Sequence, residues 1–420
     1  MNADTHLSLQ ILTDIGIKAR AAAAVLALAP AAQRDEALRQ AAQALRATAP
    51  EILAANAQDM ANFTGTAAFG DRLRLDEARL EAIAKGVEDV AALPDPLANT
   101  LAEWTRPNGL KISRIAQPIG VLGMIYESRP NVGADAASIA LKSGNAILLR
   151  GGSESFHSAQ AIHKAMVTGL RAAGLPEAAI QTAPTTDRRF VAEMLAAVGY
   201  IDLIIPRGGK TLVELVQREA RVPVLSHAEG LNHTYVHASA DPGMARKIVS
   251  NAKMRRTGVC SATETLLIDA AIAPTLLPVL VEDLAALGCR FKADATARSI
   301  CPSLPAATDA DFSTEWLDAI LNIAVVNGPE SALAHVRAHG SEHTESIITQ
   351  DATVAEAYLA RSAAAVTLWN ASTQFCDGGE FGFGAEIGIA TGHIHARGPV
   401  GPEQLTTFRY VVRGHGQVRP

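Results

Sequence analysis

Ala146-Ile147-Leu148-Leu149-Arg150-Gly151-Gly152-Ser153 is the stretch that decides the fold. Its unbroken apolar run suits a strand covered on both faces, and two glycines end it. A long amphipathic run, Glu154 to Ala173, then reads as a helix closed by Gly174 and Pro176. The same layout recurs at Ile204-Ile205-Pro206-Arg207-Gly208-Gly209-Lys210-Thr211. Around the two, Gly120–Tyr126, Asp202–Ile205 and Val222–Leu225 read as strands. Ala134–Lys142, Asp187–Val198 and Thr211–Arg218 read as helices. Short apolar strands alternating with amphipathic helices predict a mostly parallel, doubly wound α/β sheet.

A second set of such units runs from about His233 to Trp369, with strands near 234–237, 265–268, 323–326, 346–349 and 364–368. Upstream, residues 8–91 are alanine-rich and read as helices broken at Pro30, Pro50 and the 64–70 stretch. Leu110–Ile115 alternates apolar and polar residues, as does the C-terminal run Leu405–Arg413, so both read as strands with one wet face. The expected fold class is α/β, with two doubly wound α/β domains plus a small β element.

Composition agrees. A chain of 420 residues exceeds one ordinary core, so two or three domains are expected. Hydrophobic residues at 48% against 19% charged residues mark a globular protein with ample core material. A net charge of -6 carries no broad basic field, which argues against a nucleic-acid binder. Cys260, Cys289, Cys301 and Cys376 have neither CxxC spacing nor a His/Cys metal cadence, so no metal site is expected and a reducing compartment fits best. Asp4 and Asp14 precede the apolar run 21–29, which is wrong for a signal peptide, and no run reaches the ~18 apolar residues of a membrane span. The expected location is the cytoplasm.

Chemistry concentrates in a few places. Both Gly-Gly turns present backbone N–H groups at a helix N-terminus, an arrangement that binds anions or simply makes a tight turn. Two of them, each preceded by an arginine, point to a phosphate-bearing cofactor over the strand ends, although neither is a GxGxxG. In the stretch 251–267, Cys260 sits on a short loop with Gly258, behind Lys253, Arg255 and Arg256. Those cations would favour a thiolate, so Cys260 reads as a nucleophile or, more blandly, as a small buried hydrophobe. At 126–132 a strand passes into a helix. There Arg129 could hold an anionic substrate group, and Asn131 could donate to an oxyanion or merely cap the helix. His339 and His343 lack a third ligand at useful spacing and read as a turn. The glycine-dense run 377–386 reads as a mobile loop over a site or as an irregular connection.

Together the strings IGVLGMIYESRPNV (119–132), LKSGNAILLRGG (141–152), IDLIIPRGG (201–209), NAKMRRTGVCSATETLL (251–267), HGSEHTESIIT (339–349) and the run 370–414 closely resemble the gamma-glutamyl phosphate reductase family. That family is the proline-biosynthesis branch of the aldehyde dehydrogenase superfamily. The match keeps order and spacing from about residue 10 to the C-terminus.

The resemblance implies an aldehyde-dehydrogenase-like fold. It places a cofactor-binding domain at 1–107 and 118–230, a catalytic domain at 231–370, an oligomerisation β-flap at 108–117 and 400–420, and a glycine-rich return segment at 371–399. It implies reduction of L-glutamyl 5-phosphate to L-glutamate 5-semialdehyde and phosphate with NADPH. Cys260 would be the nucleophile, with Asn131 and the Cys260 N–H as oxyanion donors. Arg129 and Arg256 would bind substrate. Arg150, Gly151, Gly152, Ser153, Arg207, Gly208, Gly209 and, by alignment to the wider superfamily, Glu315 would bind NADP. Glu229 lies near the place of the water-activating base in aldehyde-oxidising relatives, and an acyl-phosphate reductase does not need one. A homo-oligomer of at least two subunits is implied, and an upstream glutamate 5-kinase is a candidate partner.

Three positions depart from the family pattern. Thr257 stands for a proline, Ser261 for an asparagine, and Ser153 for a lysine that could face a 2′-phosphate. Two other readings stand beside the reductase: a CoA- or water-dependent aldehyde dehydrogenase on the same fold, and a catalytically silent assembly protein.

Overall fold

The computed structural model describes residues 3–127, 129–225 and 229–419. The chain forms two compact units. Unit 1 is Met1–Ser226 with Gly382–Gly388 and Val400–Pro420, and unit 2 is His227–Phe381 with Ile389–Pro399. The return segment 371–399 is therefore shared between the two.

Unit 1 opens with five helices, of which Ala31–Ala47 packs on Glu77–Ala92 and on Phe156–Ala172. Gly169 makes the second contact close: a Cβ there would strike the Ala37 carbonyl. Strands β1 (Thr100–Thr105) and β2 (Lys111–Pro118) follow as an antiparallel pair. The doubly wound part then uses β3 (Val121–Tyr126), β4 (Ala146–Arg150), β5 (Ile180–Thr182) and β6 (Leu203–Arg207). They form a parallel sheet in the order β5-β4-β3-β6. Every residue of β3 and β4 is buried, which explains their continuous apolar sequence. The chain extends the sheet from β3 toward β4 and β5, then returns to β3's other side with β6. The carboxyl ends of β3, β4 and β6 thus surround a topological switch point, where ligands bind in open α/β sheets.

Unit 2 is built on β7 (Asn232–Val236), β8 (Thr263–Asp269), β9 (Arg290–Ala293), β10 (Ile320–Val326), β11 (Thr344–Ile348) and β12 (Val366–Trp369). All pairs are parallel, in the order β12-β11-β7-β8-β10-β9. Successive strand residues feed opposite layers. Leu266 and Ile268 join a core with Val249, Leu277 and Leu280, while Leu267 joins one with Tyr235, Leu333 and Ile347. A short pair, β13 (Ile389–Ala390) and β14 (Gly398–Pro399), belongs to this unit. Strand β15 (Thr406–Arg413) returns to unit 1 and pairs with β2, giving the flap order β1-β2-β15.

Three details differ from the sequence reading. The strand expected at Val222–Leu225 is a single bridge, Ile204 to Val224, since Pro223 has no N–H to give a ladder. Strands β5 and β9 went unread because each is three or four residues long at a sheet edge. The flap has a third strand, β1, upstream of the expected 108–117.

Candidate functional site

In unit 1 the expected residues gather at the carboxyl ends of β3, β4 and β6. Tyr126 pairs with Arg207, Ile125 with Arg150, and the Glu127 N–H donates to the Arg207 carbonyl. The two Gly-Gly turns that follow β4 and β6 are held in different ways.

At the first turn, Arg150 does not point outward. Its guanidinium donates to the carbonyls of Gly151 and Thr186 (2.8 Å for Thr186), and burial lowers its pKa. Asp59, buried and on the helix Ala49–Ala61, already caps the helix Phe156–Ala172. Its carboxylate accepts from the N–H of His157 (3.1 Å) and Ser158 (2.8 Å) and from Ser158 Oγ (2.5 Å). The anion site expected at this helix start is thus filled by the chain's own carboxylate. Beside it lies a cavity of about 570 Å³, lined by Phe63, Thr64, Thr66, Phe69, Ser153 and His157 among others. Phe63 and Phe69 stack there with ring centroids 5.4 Å apart. Its volume is that of a ligand pocket.

At the second turn, Glu127 Oε2 accepts from the Gly209 N–H at 2.9 Å, at the start of the helix Lys210–Glu219. A carboxylate oxygen on an N–H at a helix start shows that the position accepts a negatively charged oxygen. A Cβ at Gly208 would meet the Glu127 carboxyl at 2.6 Å, so that side chain would have to swing aside.

Asn131 lies in the first turn of the helix Pro130–Lys142, with Arg129 as its N-cap residue. Asn131 Nδ2 donates to Asp135 Oδ2 at 2.8 Å, one helical turn on. Sequence reading missed Asp135. Burial pushes its carboxyl up to about 6, against the Asn131 hydrogen bond and the charge of Arg207. The amide's second N–H is left for another acceptor.

In unit 2 the expected Cys260 and Glu315, with Gly230, which sequence reading did not single out, lie at the amino ends of the strands. Gly230 precedes β7, Cys260 precedes β8, and Glu315 precedes β10. Cys260 is half-buried. Its loop is fixed at several points. Asn232 Nδ2 donates to the carbonyls of Cys260 (2.6 Å) and Ala262 (2.9 Å). Gln374 Nε2 donates to those of Ala252 (3.1 Å) and Arg256 (3.0 Å). A Cβ on Gly230 would strike the Cys260 carbonyl, so only glycine lets the two backbones approach.

The cations behind Cys260 divide. Lys253 is fully buried and its Nζ pairs with Glu264 Oε2 at 2.6 Å, so its charge is spent inside the unit and not on the thiol. This corrects the expectation of a thiolate-stabilising Lys253. Arg255 and Arg256 are exposed; Arg255 reaches Gln374 Oε1 at 3.4 Å. Glu315 Oε1 accepts from the Gly230 N–H at 2.9 Å, and burial raises its pKa. Among the described residues no cluster of three or more His, Cys, Asp or Glu side chains is placed to hold a metal ion. No described helix is long and apolar enough to cross a membrane.

Missed by sequence reading were Asn232, Gln374, Glu264 and Asp135. A signal for the first and third was present: β7, β8 and β11 open with the polar triplets NHT, TET and TES before turning apolar.

Comparison with known proteins agrees with this architecture. The aldehyde dehydrogenase family profile matches residues 13–304. A gamma-glutamyl phosphate reductase of Acidiphilium cryptum is 67% identical over the whole of both chains. One of Gluconobacter oxydans is 65% identical over 97% of this chain and 96% of its own. The crystal structure of a gamma-glutamyl phosphate reductase from Thermotoga maritima superposes with a TM-score of 0.95 at 41% identity, covering 97% of this chain and 100% of its own.

Proposed function

The chain belongs to the aldehyde dehydrogenase family and, within it, to the gamma-glutamyl phosphate reductases, and from that membership we propose that it reduces L-glutamyl 5-phosphate to L-glutamate 5-semialdehyde and phosphate with NADPH. It is an oxidoreductase of a family that uses a nicotinamide cofactor. The observation that carries the proposal is Cys260, half-buried on a loop pinned at both its carbonyl and its flanks, with exposed Arg255 and Arg256 beside it.

In the proposed reaction the Cys260 thiolate attacks the acyl carbon, the carbon–oxygen bond to phosphate breaks, and phosphate leaves with the electron pair. A thioester remains on Cys260. The bound cofactor supplies the hydride that reduces this carbon. The carbon–sulfur bond then breaks, sulfur recovers its electrons, and the aldehyde departs. Each tetrahedral stage carries negative charge on oxygen; Asn131 and the Cys260 N–H are the proposed donors, each worth about 3 kcal/mol. Arg256 would hold the departing phosphate and Arg129 the substrate carboxylate.

We assign cofactor binding to unit 1 and the cysteine chemistry to unit 2. The fit of unit 1 to the cofactor rests on the Glu127 carboxylate standing in for an anion at Gly209 and on the cavity beside Ser153. The N–H groups of Gly208 and Gly209 with Arg207 would hold the phosphates. Gly151, Gly152 and Ser153 would border the adenosine, Arg150 bracing them from behind. The free carboxylate oxygen of Glu315 would meet the nicotinamide ribose. NADP over NAD follows from the family.

The flap supports a homo-oligomer of at least two subunits: Leu101, Trp104, Phe408, Tyr410 and Val412 are exposed on it. Four cysteines, none of them in a disulfide, suit the cytoplasm. A glutamate 5-kinase is the proposed source of the labile acyl phosphate.

The test is the reverse assay with glutamate semialdehyde, comparing NADP with NAD and phosphate with CoA and water. Phosphate-dependent NADP reduction that Cys260→Ala abolishes is expected. Turnover with CoA or water but not phosphate would sink the proposal.

A further inference from the structure

Lys253 lies in the last turn of the helix Pro242–Met254 and Glu264 is the second residue of β8, so the two side chains stand at the two ends of the segment that carries Cys260. They meet at 2.6 Å with exposures of 0% and 2%. The pair closes the neck of the cysteine loop from inside. A buried ion pair is a poor source of stability, because desolvating both charges offsets most of their attraction. Its best-attested use is to fix one arrangement among several that an apolar core would tolerate.

The pair reaches further than the loop. Glu264 Oε1 accepts from the Leu317 N–H at 3.4 Å, and Leu317 has φ 50°, a conformation that a leucine rarely adopts. Two residues earlier, Glu315 holds the Gly230 N–H, and Gly230 is the residue on which the Cys260 carbonyl rests. Lys253, Glu264, the 315–317 turn and Gly230 therefore make a ring of contacts around the base of the loop, all inside unit 2. Resting on the reading of Cys260 as nucleophile, we infer that Lys253 and Glu264 are positioning residues for it, their buried pair setting the placement and reactivity of the thiol without touching substrate.

Burial pushes Glu264 up to about 7, Lys253 pulling the other way. The charged and titratable groups that face it are Lys253, Glu315 and Cys289, the last of which burial pushes up to about 11.

The experiment uses the full chain and the double variant Lys253→Met/Glu264→Leu, which replaces the pair by apolar groups of similar size. Two quantities are read: kcat and KM in the reductase assay, and the pH profile of Cys260 alkylation by iodoacetamide, followed by peptide mass. The expected result is a melting temperature at or above that of the wild type, with kcat lower by about 10- to 100-fold. KM changes little and the alkylation profile is displaced. Equal kcat and an unchanged alkylation profile in the folded double variant would overturn the inference.

Should the double variant not fold, Glu264→Gln, which keeps an oxygen for Lys253, is read in the same assays. The wild-type alkylation profile should then show a second ionisation beside the thiol's own, which Glu264→Gln removes; a single unchanged ionisation in both overturns the inference. Failure of the nucleophile reading is separate, since it would appear as activity retained in Cys260→Ala.

Discussion

The two parallel sheets use opposite ends. Unit 1 presents its candidate residues where β3, β4 and β6 finish, and unit 2 presents Gly230, Cys260 and Glu315 where β7, β8 and β10 begin. The first arrangement sets helix N-termini against the site, and their N–H groups attract anions. The second sets a helix C-terminus, that of Pro242–Met254, against the cysteine loop, and its partial charge opposes a thiolate. Exposed Arg255 and Arg256 are therefore the groups that can favour the thiolate, while Lys253 is neutralised from within. The strands differ to match. In unit 1 the central strands β3 and β4 are apolar from their first residue up to Arg150 at the end of β4. In unit 2 the opening residues Asn232, His233, Thr234, Thr263, Glu264, Thr344 and Glu345 are polar and buried; Glu264 is held by Lys253 and the others by one another.

The largest way to break this contrast is Glu345→Ala. His233 Nδ1 lies 3.1 Å from Glu345 Oε1, both fully buried, and truncation leaves the imidazole without its partner. The expected loss is about 3 kcal/mol in urea unfolding. In the apolar sheet of unit 1, Met124→Leu should cost under about 1.5 kcal/mol. Equal losses would mean that the polar strand openings do not depend on mutual satisfaction.

Gly230→Ala sharpens it from the side of activity. The new methyl meets the Cys260 carbonyl, so the loop must shift while the sheet stays. A fall in kcat of about 100-fold with a normal far-ultraviolet dichroism spectrum is expected. An unaltered kcat would show that the loop tolerates displacement.

How much of this was legible in the sequence follows the same divide. The alternation of apolar strand and amphipathic helix made both sheets readable, because a strand buried on two faces leaves a continuous apolar run. Edge strands β5 and β9 left too short a run. Cys260 and both Gly-Gly turns were found from local chemistry. What filled those turns was not, since Asp59 comes from a helix about a hundred residues upstream of Ser158, and Glu127 lies 82 residues before Gly209. Lys253 was misread for the same reason: a charge near a thiol in sequence counts only if no partner claims it. The clue was Glu264, the second residue of a strand that is buried throughout.

Asp135 gives a smaller, pH-dependent test in unit 1. Its folded pKa is raised from 3.8 to about 6 by burial. The folded state therefore binds the proton more tightly than the unfolded chain, and this contribution to stability is complete below about 3.8 and lost as pH rises through 6. Asp135→Asn has no such loss. Its stability relative to the wild type should rise by about 2 kcal/mol between pH 4 and 6 and level off above about pH 7. A difference that is flat across that range would mean that Asp135 ionises in the folded state as it does in water.

The smallest expected effect is at the second Gly-Gly turn. Glu127 Oε2 accepts from the Gly209 N–H at 2.9 Å, at the positive end of the helix Lys210–Glu219. An incoming phosphate needs that same N–H and meets the carboxylate's charge. Glu127 thus acts as a competitor held in place by the chain itself. Glu127→Gln keeps a weaker acceptor and removes the repulsion. The dipole interaction at an exposed helix end is worth about 0.3–1 kcal/mol, so NADPH should bind about two- to five-fold tighter in a fluorescence titration. The gain should shrink as salt is added, because exposed charges are screened. Weaker binding would instead make Glu127 a partner of the cofactor, and the two ends of the protein's sheets would then differ less than their backbones suggest.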